Sequence, residues 1–309
     1  MISIGKILFF KFVFAINACN KSQAFYKKNK HCSNKSNVKA GLFMLTLIII
    51  FTLVANNALS QCYTTNTTFK AGERLKYNVW YNWGLIWVHA GEALFLTDSV
   101  SYKNNPAYLI KSYGNSLKSW DWVFKVRDYY QVYLQPDPLK PLEFTRQNYE
   151  GGYVVNNNYV FDYNKNLIYS RTENSKKPLS IDTLKITACV HDLLSAIIYT
   201  RNYDYSNLEI NQIVPIKTII DAEFFPLYIR YLGKETISDR DKNKYNCLKF
   251  SIMLVEGTMF NAGENMTVWV SDDKNKIPIL IEAKILVGSV KAYLTDYSKL
   301  RHPFKSKVD

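Results

Sequence analysis

From Lys70 onward the chain is dominated by a period of two. Leu75, Tyr77, Val79 and Tyr81 alternate with Lys76, Asn78 and Trp80, so an extended backbone sets one apolar face against a mixed one. The same rhythm recurs at 93–96, 108–112 and 129–134. It resumes beyond Pro136, Pro138 and Pro141 at 142–148, 153–163 and 166–170, and later at 212–220, 227–232, 248–255, 266–270, 277–286 and 289–297. β-branched and aromatic residues fill these runs, and polar turns such as Gly151-Gly152 and Asn156-Asn157-Asn158 separate them. The expected fold is mainly β: a strongly curved antiparallel sheet or barrel-like meander. A length of 309 residues would fit two average domains, but no linker divides the chain after residue 60. Residues 61–309 are therefore read as a single β-rich domain.

One segment breaks the rhythm. Val190, Leu193, Leu194, Ile197 and Ile198 are spaced i, i+3, i+4, i+7 and i+8, which predicts one packed amphipathic helix over about 188–202. Thr183 or Thr187 is the expected cap, with Asp192 in the first turns favoured by the helix dipole.

The formal charge of +13 is unevenly distributed. Residues 1–60 hold eight lysines and no acid, and without them 31 basic face 26 acidic residues, a net charge of +5. Within that leader, 41–55 is an almost unbroken apolar run, preceded by Lys35 and Lys39 and followed by Ala58-Leu59-Ser60. Basic start, short apolar core and small residues before a cut read as a secretory signal peptide, cleaved between Ser60 and Gln61. The run is too short for a spanning helix. The long stretch ahead of it reads as a misassigned start, with the true one near Leu42 or Met44. The expected location is periplasmic or secreted, with membrane contact only through the leader. Gln61 argues against a lipoprotein cut before Cys62, because the position preceding a lipidated cysteine is ordinarily small.

Cleavage would leave Cys62, Cys189 and Cys247, whose wide spacing excludes CxxC metal and thioredoxin motifs. In an oxidising compartment Cys189 and Cys247 are candidates for a disulfide; the alternative is two buried free thiols.

Several short motifs occur in a fixed order: Gly72-Glu73-Arg74-Leu75-Lys76-Tyr77, Ala90-Gly91-Glu92-Ala93, Val126-Arg127-Asp128-Tyr129-Tyr130 and Asp192-Leu193-Leu194-Ser195-Ala196 with Tyr199-Thr200-Arg201. Tyr231-Leu232-Gly233, Trp269-Val270-Ser271-Asp272-Asp273 and Gly288-Ser289-Val290-Lys291-Ala292 follow. Together they resemble the exported bacterial proteins grouped as domain of unknown function 3108, over roughly residues 69–303. The resemblance implies secretion across the inner membrane and a curved antiparallel sheet. It implies no activity and carries no catalytic residues.

Candidate chemistry is sparse. His191, Asp192 and Ser195 are the residue types of a hydrolase triad, but helical neighbours do not face each other and no Gly-x-Ser-x-Gly elbow exists. His89 and His302 are isolated, and Asp272-Asp273 reads as turn chemistry, so neither metal nor cofactor is expected. Glu73 and Glu92 fit an ion pair with Arg74, Arg127 or Lys291 better than an acid–base couple. The aromatics are the more informative group. Tyr77, Trp80, Tyr81, Trp83, Trp87, Trp120 and Trp122 would make either a sealed core or a ligand-binding concave face, and Arg127 either an internal charge pair or a contact for an anion.

A non-catalytic envelope protein that binds a lipid or other amphiphile is the first expectation. An envelope structural protein docking a protein partner is the second, and a glycan hydrolase using Glu73 and Glu92 the third. The small residual charge argues against nucleic acid.

Overall fold

Alternation along each run becomes strand pairing, and every strand pair is antiparallel. The computed structural model describes residues 63–83, 86–186, 189–254, 263–284 and 288–308; the leader, Cys62, Thr187 and the Trp83 side chain lie outside that description. The first half contributes β1 (Arg74–Trp83), β2 (Ile86–Tyr102), β3 (Asn105–Ser116), β4 (Val126–Leu134), β5 (Pro141–Glu150), β6 (Tyr153–Asp162), β7 (Leu167–Asn174) and β8 (Lys177–Lys185). The second contributes β9 (Ile213–Ile220), β10 (Glu223–Ser238), β11 (Lys244–Leu254), β12 (Gly263–Ser271), β13 (Pro278–Lys284), β14 (Ser289–Ser298) and a short β15 (Lys307–Val308). Two short helices interrupt them, α1 (Asp121–Phe124) and α2 (Leu193–Asn202).

The order is β8-β7-β6-β5-β4-β3-β2-β1-β14-β13-β12-β11-β10-β9, with β15 on β11. Two meanders thus grow outward from a central β1–β14 pair, and β8 and β9 are left as the edges of one open sheet. The connection between those edges carries α2.

Period two sets the faces. Leu75, Tyr77, Val79 and Tyr81 of β1 are buried while Lys76, Asn78 and Trp80 are only half-buried, and in β4 Val126, Asp128, Tyr130, Val132 and Leu134 alternate with more exposed neighbours. Tight turns keep the meander compact. Lys103-Asn104 and Asp221-Ala222 each place two successive residues at positive φ (49° and 66°, 47° and 63°), the backbone that suits right-twisted hairpins. Asn156–Asn158, which the sequence marks as a turn, are instead part of β6. Their carboxamides bridge neighbouring strands, with Asn156 donating to Glu173 (2.9 Å) and Asn158 to Glu143 (3.0 Å).

The sheet folds back on itself. Asp221, in the β9–β10 turn, accepts a hydrogen bond from Asn157 of β6 (2.8 Å) and lies 3.5 Å from the fully buried Arg146 of β5, although many strands separate them along the sheet. Helix α2 fills the inner side. Its Leu194 and Ile198 pack with Tyr130, Val132, Phe144 and Ile168, while Tyr199 packs with Ile216, Ile229 and Phe250 of the other half.

The helix begins later than its apolar spacing predicts. Asp192 is the N-cap, its Oδ1 accepting from the Leu194 and Ser195 N–H groups (2.9 and 3.0 Å). Before it, His191 is extended and forms a parallel bridge to Thr218, donating its N–H to Lys217 O (2.9 Å) and accepting from Ile219 N–H (2.8 Å). Val190 is buried as the pattern requires, but ahead of the helix, in the core cluster that α2 packs into.

The proposed Cys189–Cys247 bridge is not formed. Cys247 is a buried free thiol, whereas Cys189 is disulfide-bonded. Burial pushes the Cys247 thiol up to about 12, which keeps it protonated and unreactive.

Candidate functional site

The inner face is not completely filled. Between the C-terminal half of α2 and the strands opposite it lies a cavity of about 140 Å³. Ile197, Ile198 and Thr200 of α2 form one wall; Leu75, Tyr77 and Phe95 of β1 and β2 form another. Phe250, Ile252, Met266, Val268 and Ile281 close it from β11 to β13. Phe95, Ile252, Met266 and Ile281 occupy inward register positions, yet they remain partly exposed, as does Ile197. Apolar side chains aimed inward and still incompletely covered are the mark of a receptive pocket.

Its polar groups are concentrated on Glu73, Arg201 and Lys276. Arg201 grips Glu73 through both terminal nitrogens, Nη1 to Oε1 at 2.7 Å and Nη2 to Oε2 at 3.2 Å, and Nη2 also donates to Asn275 O (3.0 Å). Lys276 donates from Nζ to Tyr203 O (2.6 Å), just past the end of α2, and sits 5.1 Å from the Tyr205 ring centre. Burial pushes its pKa below that of an ordinary lysine, with Asp204 pulling the other way. Tyr77 donates its hydroxyl to Pro278 O (3.1 Å), and burial raises its pKa well beyond the physiological range.

Of the aromatic cluster expected from the sequence, Tyr77 alone among the described side chains lines this cavity. Tyr81 is buried on the inner face within the core, beside Val79 and Ala90. Trp80 has the opposite parity and lies on the outer face, stacked on His89 (5.1 Å) with the Arg240 guanidinium 3.6 Å from its ring centre. Trp87 shares that outer face, 5.2 Å from Lys291 Nζ. Trp120 packs against the core near α1, and Trp122 is 80% exposed. The described members of the cluster do not form one concave site. Arg127 is also engaged elsewhere, paired with Asp121, whose carboxyl it holds below the usual range.

The carboxylates singled out by sequence part company. Glu73 lies inside with Arg201, whereas Glu92 lies on the outer face with Lys76 (2.9 Å). The hydrolase-like trio is likewise structural: Asp192 caps α2 and accepts the Ser195 hydroxyl (2.6 Å), while His191 bridges to β9 and packs on Tyr199. Asp272 pairs with Lys234 and Asp273 holds the following turn, accepting from Asn275 N–H (2.9 Å).

Sequence reasoning assigned Glu73 to the wrong cation. The signal for the right one was present, because Arg201 follows Leu194 and Ile198 at helical spacing and so stands on the buried stripe of α2. A cation on that stripe requires an internal carboxylate.

The profile of the protein family of unknown function DUF3108 matches residues 76–295, which takes in nearly all of β1 to β14. The chain belongs to the DUF3108 family. No curated protein matches it. Among solved structures it is similar to a beta-barrel-like protein of domain of unknown function DUF1849 from Brucella abortus, with 9% identity and a TM-score of 0.47, covering 75% of this chain and 99% of that one. In this DUF3108 protein the matched region contains Tyr77, Arg201 and Lys276, and it begins three residues after Glu73.

Proposed function

We propose that this protein is an exported, non-catalytic binding module of the bacterial envelope, and that it holds the apolar part of an amphiphile in the cavity beside α2. The observation that carries this reading is the ring of inward-facing but incompletely buried apolar residues: Phe95, Ile197, Ile252, Met266 and Ile281. A dry cavity of roughly 150 Å³ is known to accept benzene or xenon in other apolar interiors. A space of about 140 Å³ is therefore suited to a short stretch of hydrocarbon and too small for a whole lipid. The lysine-rich leader with its apolar run at 41–55 supports export. Native mass spectrometry of protein purified without detergent tests the reading. The expected result is a co-purifying amphiphile or uptake of added methyl octanoate; a cavity that takes up neither overturns it.

A second reading, docking of an envelope protein partner, is favoured by the β8 edge. Its outer side has no strand partner among the described residues, and Leu179 and Ile181 are exposed on it. Crosslinking from position 181 in whole cells that captures no reproducible partner would remove it.

A further inference from the structure

The charge at the polar end of the cavity is unbalanced. Glu73 and Arg201 neutralise each other, which leaves Lys276 as a partly buried ammonium beside an apolar space. An ammonium has three N–H donors. Lys276 uses one on Tyr203 O, and among the described residues no carboxylate lies within ion-pair distance of its Nζ, Asp204 acting on it only from farther off. Arg201 adds a second open donor, because its Nε is buried without a hydrogen-bond partner. A desolvated cation with spare donors is costly until an acceptor of opposite charge arrives.

We infer that the amphiphile carries an anionic head, a carboxylate in the simplest case, held at Lys276 with its chain against Phe250, Ile252 and Val268. This rests on the binding reading above and adds to it the chemistry of the head group. The depressed pKa of Lys276 agrees with a cation that lacks its counter-ion. The contact with Tyr203 O, near the negative end of the α2 dipole, anchors the side chain but supplies no full counter-charge.

Titration calorimetry with octanoate and its methyl ester, on the full chain, separates the two claims. The wild-type protein is expected to bind octanoate about tenfold more tightly than the ester, the scale of one charge-assisted hydrogen bond. Lys276→Met should remove that preference, and Lys276→Arg should retain it. Thermal unfolding of both variants checks that they fold; should Lys276→Met fail to, the wild-type preference and Lys276→Arg decide. Equal binding of acid and ester by the wild type, or a preference that survives Lys276→Met, overturns the anionic head and leaves the cavity reading standing. Binding of neither probe overturns the cavity reading itself.

Discussion

Glu73 and Arg201, 128 residues apart in sequence, form a two-pronged ion pair at 2.7 and 3.2 Å that is almost completely withdrawn from water. The pair joins three parts of the chain. Glu73 stands immediately before β1, Arg201 in the last turn of α2, and the bond from Arg201 to Asn275 O reaches the turn between β12 and β13. It therefore fixes the helix against the central strands and sets one wall of the cavity.

Removing one partner strands the other charge in the interior, so Glu73→Gln or Arg201→Met alone should cost on the order of 3–5 kcal/mol. The double change Glu73→Leu with Arg201→Met leaves no orphaned charge, only an unpaired Asn275 carbonyl, and should cost much less than the sum. Urea unfolding of the four proteins measures the coupling. Additive losses would mean that the two side chains are not energetically paired.

The Asp192 carboxyl is fully buried, and burial pushes it up to about 6 despite the bonds it accepts from Ser195 and Leu194. Its folded pKa is thus raised above the unfolded value near 4, so the folded state holds a proton that the unfolded state has released. Stability from this group is full below about pH 4 and is lost as pH rises through 6, by on the order of 3 kcal/mol. Asp192→Asn keeps the capping oxygen but does not titrate. The stability difference between wild type and variant, followed from pH 4 to 7, should shift against the wild type as pH rises; a constant difference would contradict the raised pKa.

The strands were legible because one buried face forces alternation, as Leu75 to Tyr81 shows. Strand β8 was not, because none of its residues is buried on either face and Pro178 stands at its start. The cavity was invisible for a different reason. Tyr77 and Trp80 are near neighbours in sequence but point to opposite faces, so a cluster of aromatics in the sequence is divided by the pleat. Conversely Glu73, Arg201 and Lys276 meet only through the crossover that carries α2, and no local pattern encodes that meeting.

Gly151 and Gly152 form the β5–β6 turn at φ 57° and 96°, but only the first is crowded. A Cβ on Gly151 would collide with the buried Phe124 ring of α1, while one on Gly152 meets nothing. Gly151→Ala should lose on the order of 2 kcal/mol or more from backbone strain plus overpacking, and Gly152→Ala about 1 kcal/mol from strain alone. Equal losses in denaturant unfolding would show that the Phe124 contact yields freely.

Val268 tests the cavity from within. It lies at an inward position of β12, paired with Phe250 and Ile281, and lines the empty space without touching the charged end through any hydrogen bond. Val268→Phe adds a ring where there is room for one, so folding stability should change by no more than about 1–2 kcal/mol in either direction. Uptake of methyl octanoate should fall at least about tenfold, because the ring and the hydrocarbon compete for the same 140 Å³. Trp80→Ala, on the outer face, should leave uptake unchanged. The reverse result, binding lost with Trp80 and kept with Val268→Phe, would move the ligand to the outer cleft between Trp80, Tyr293 and Tyr297.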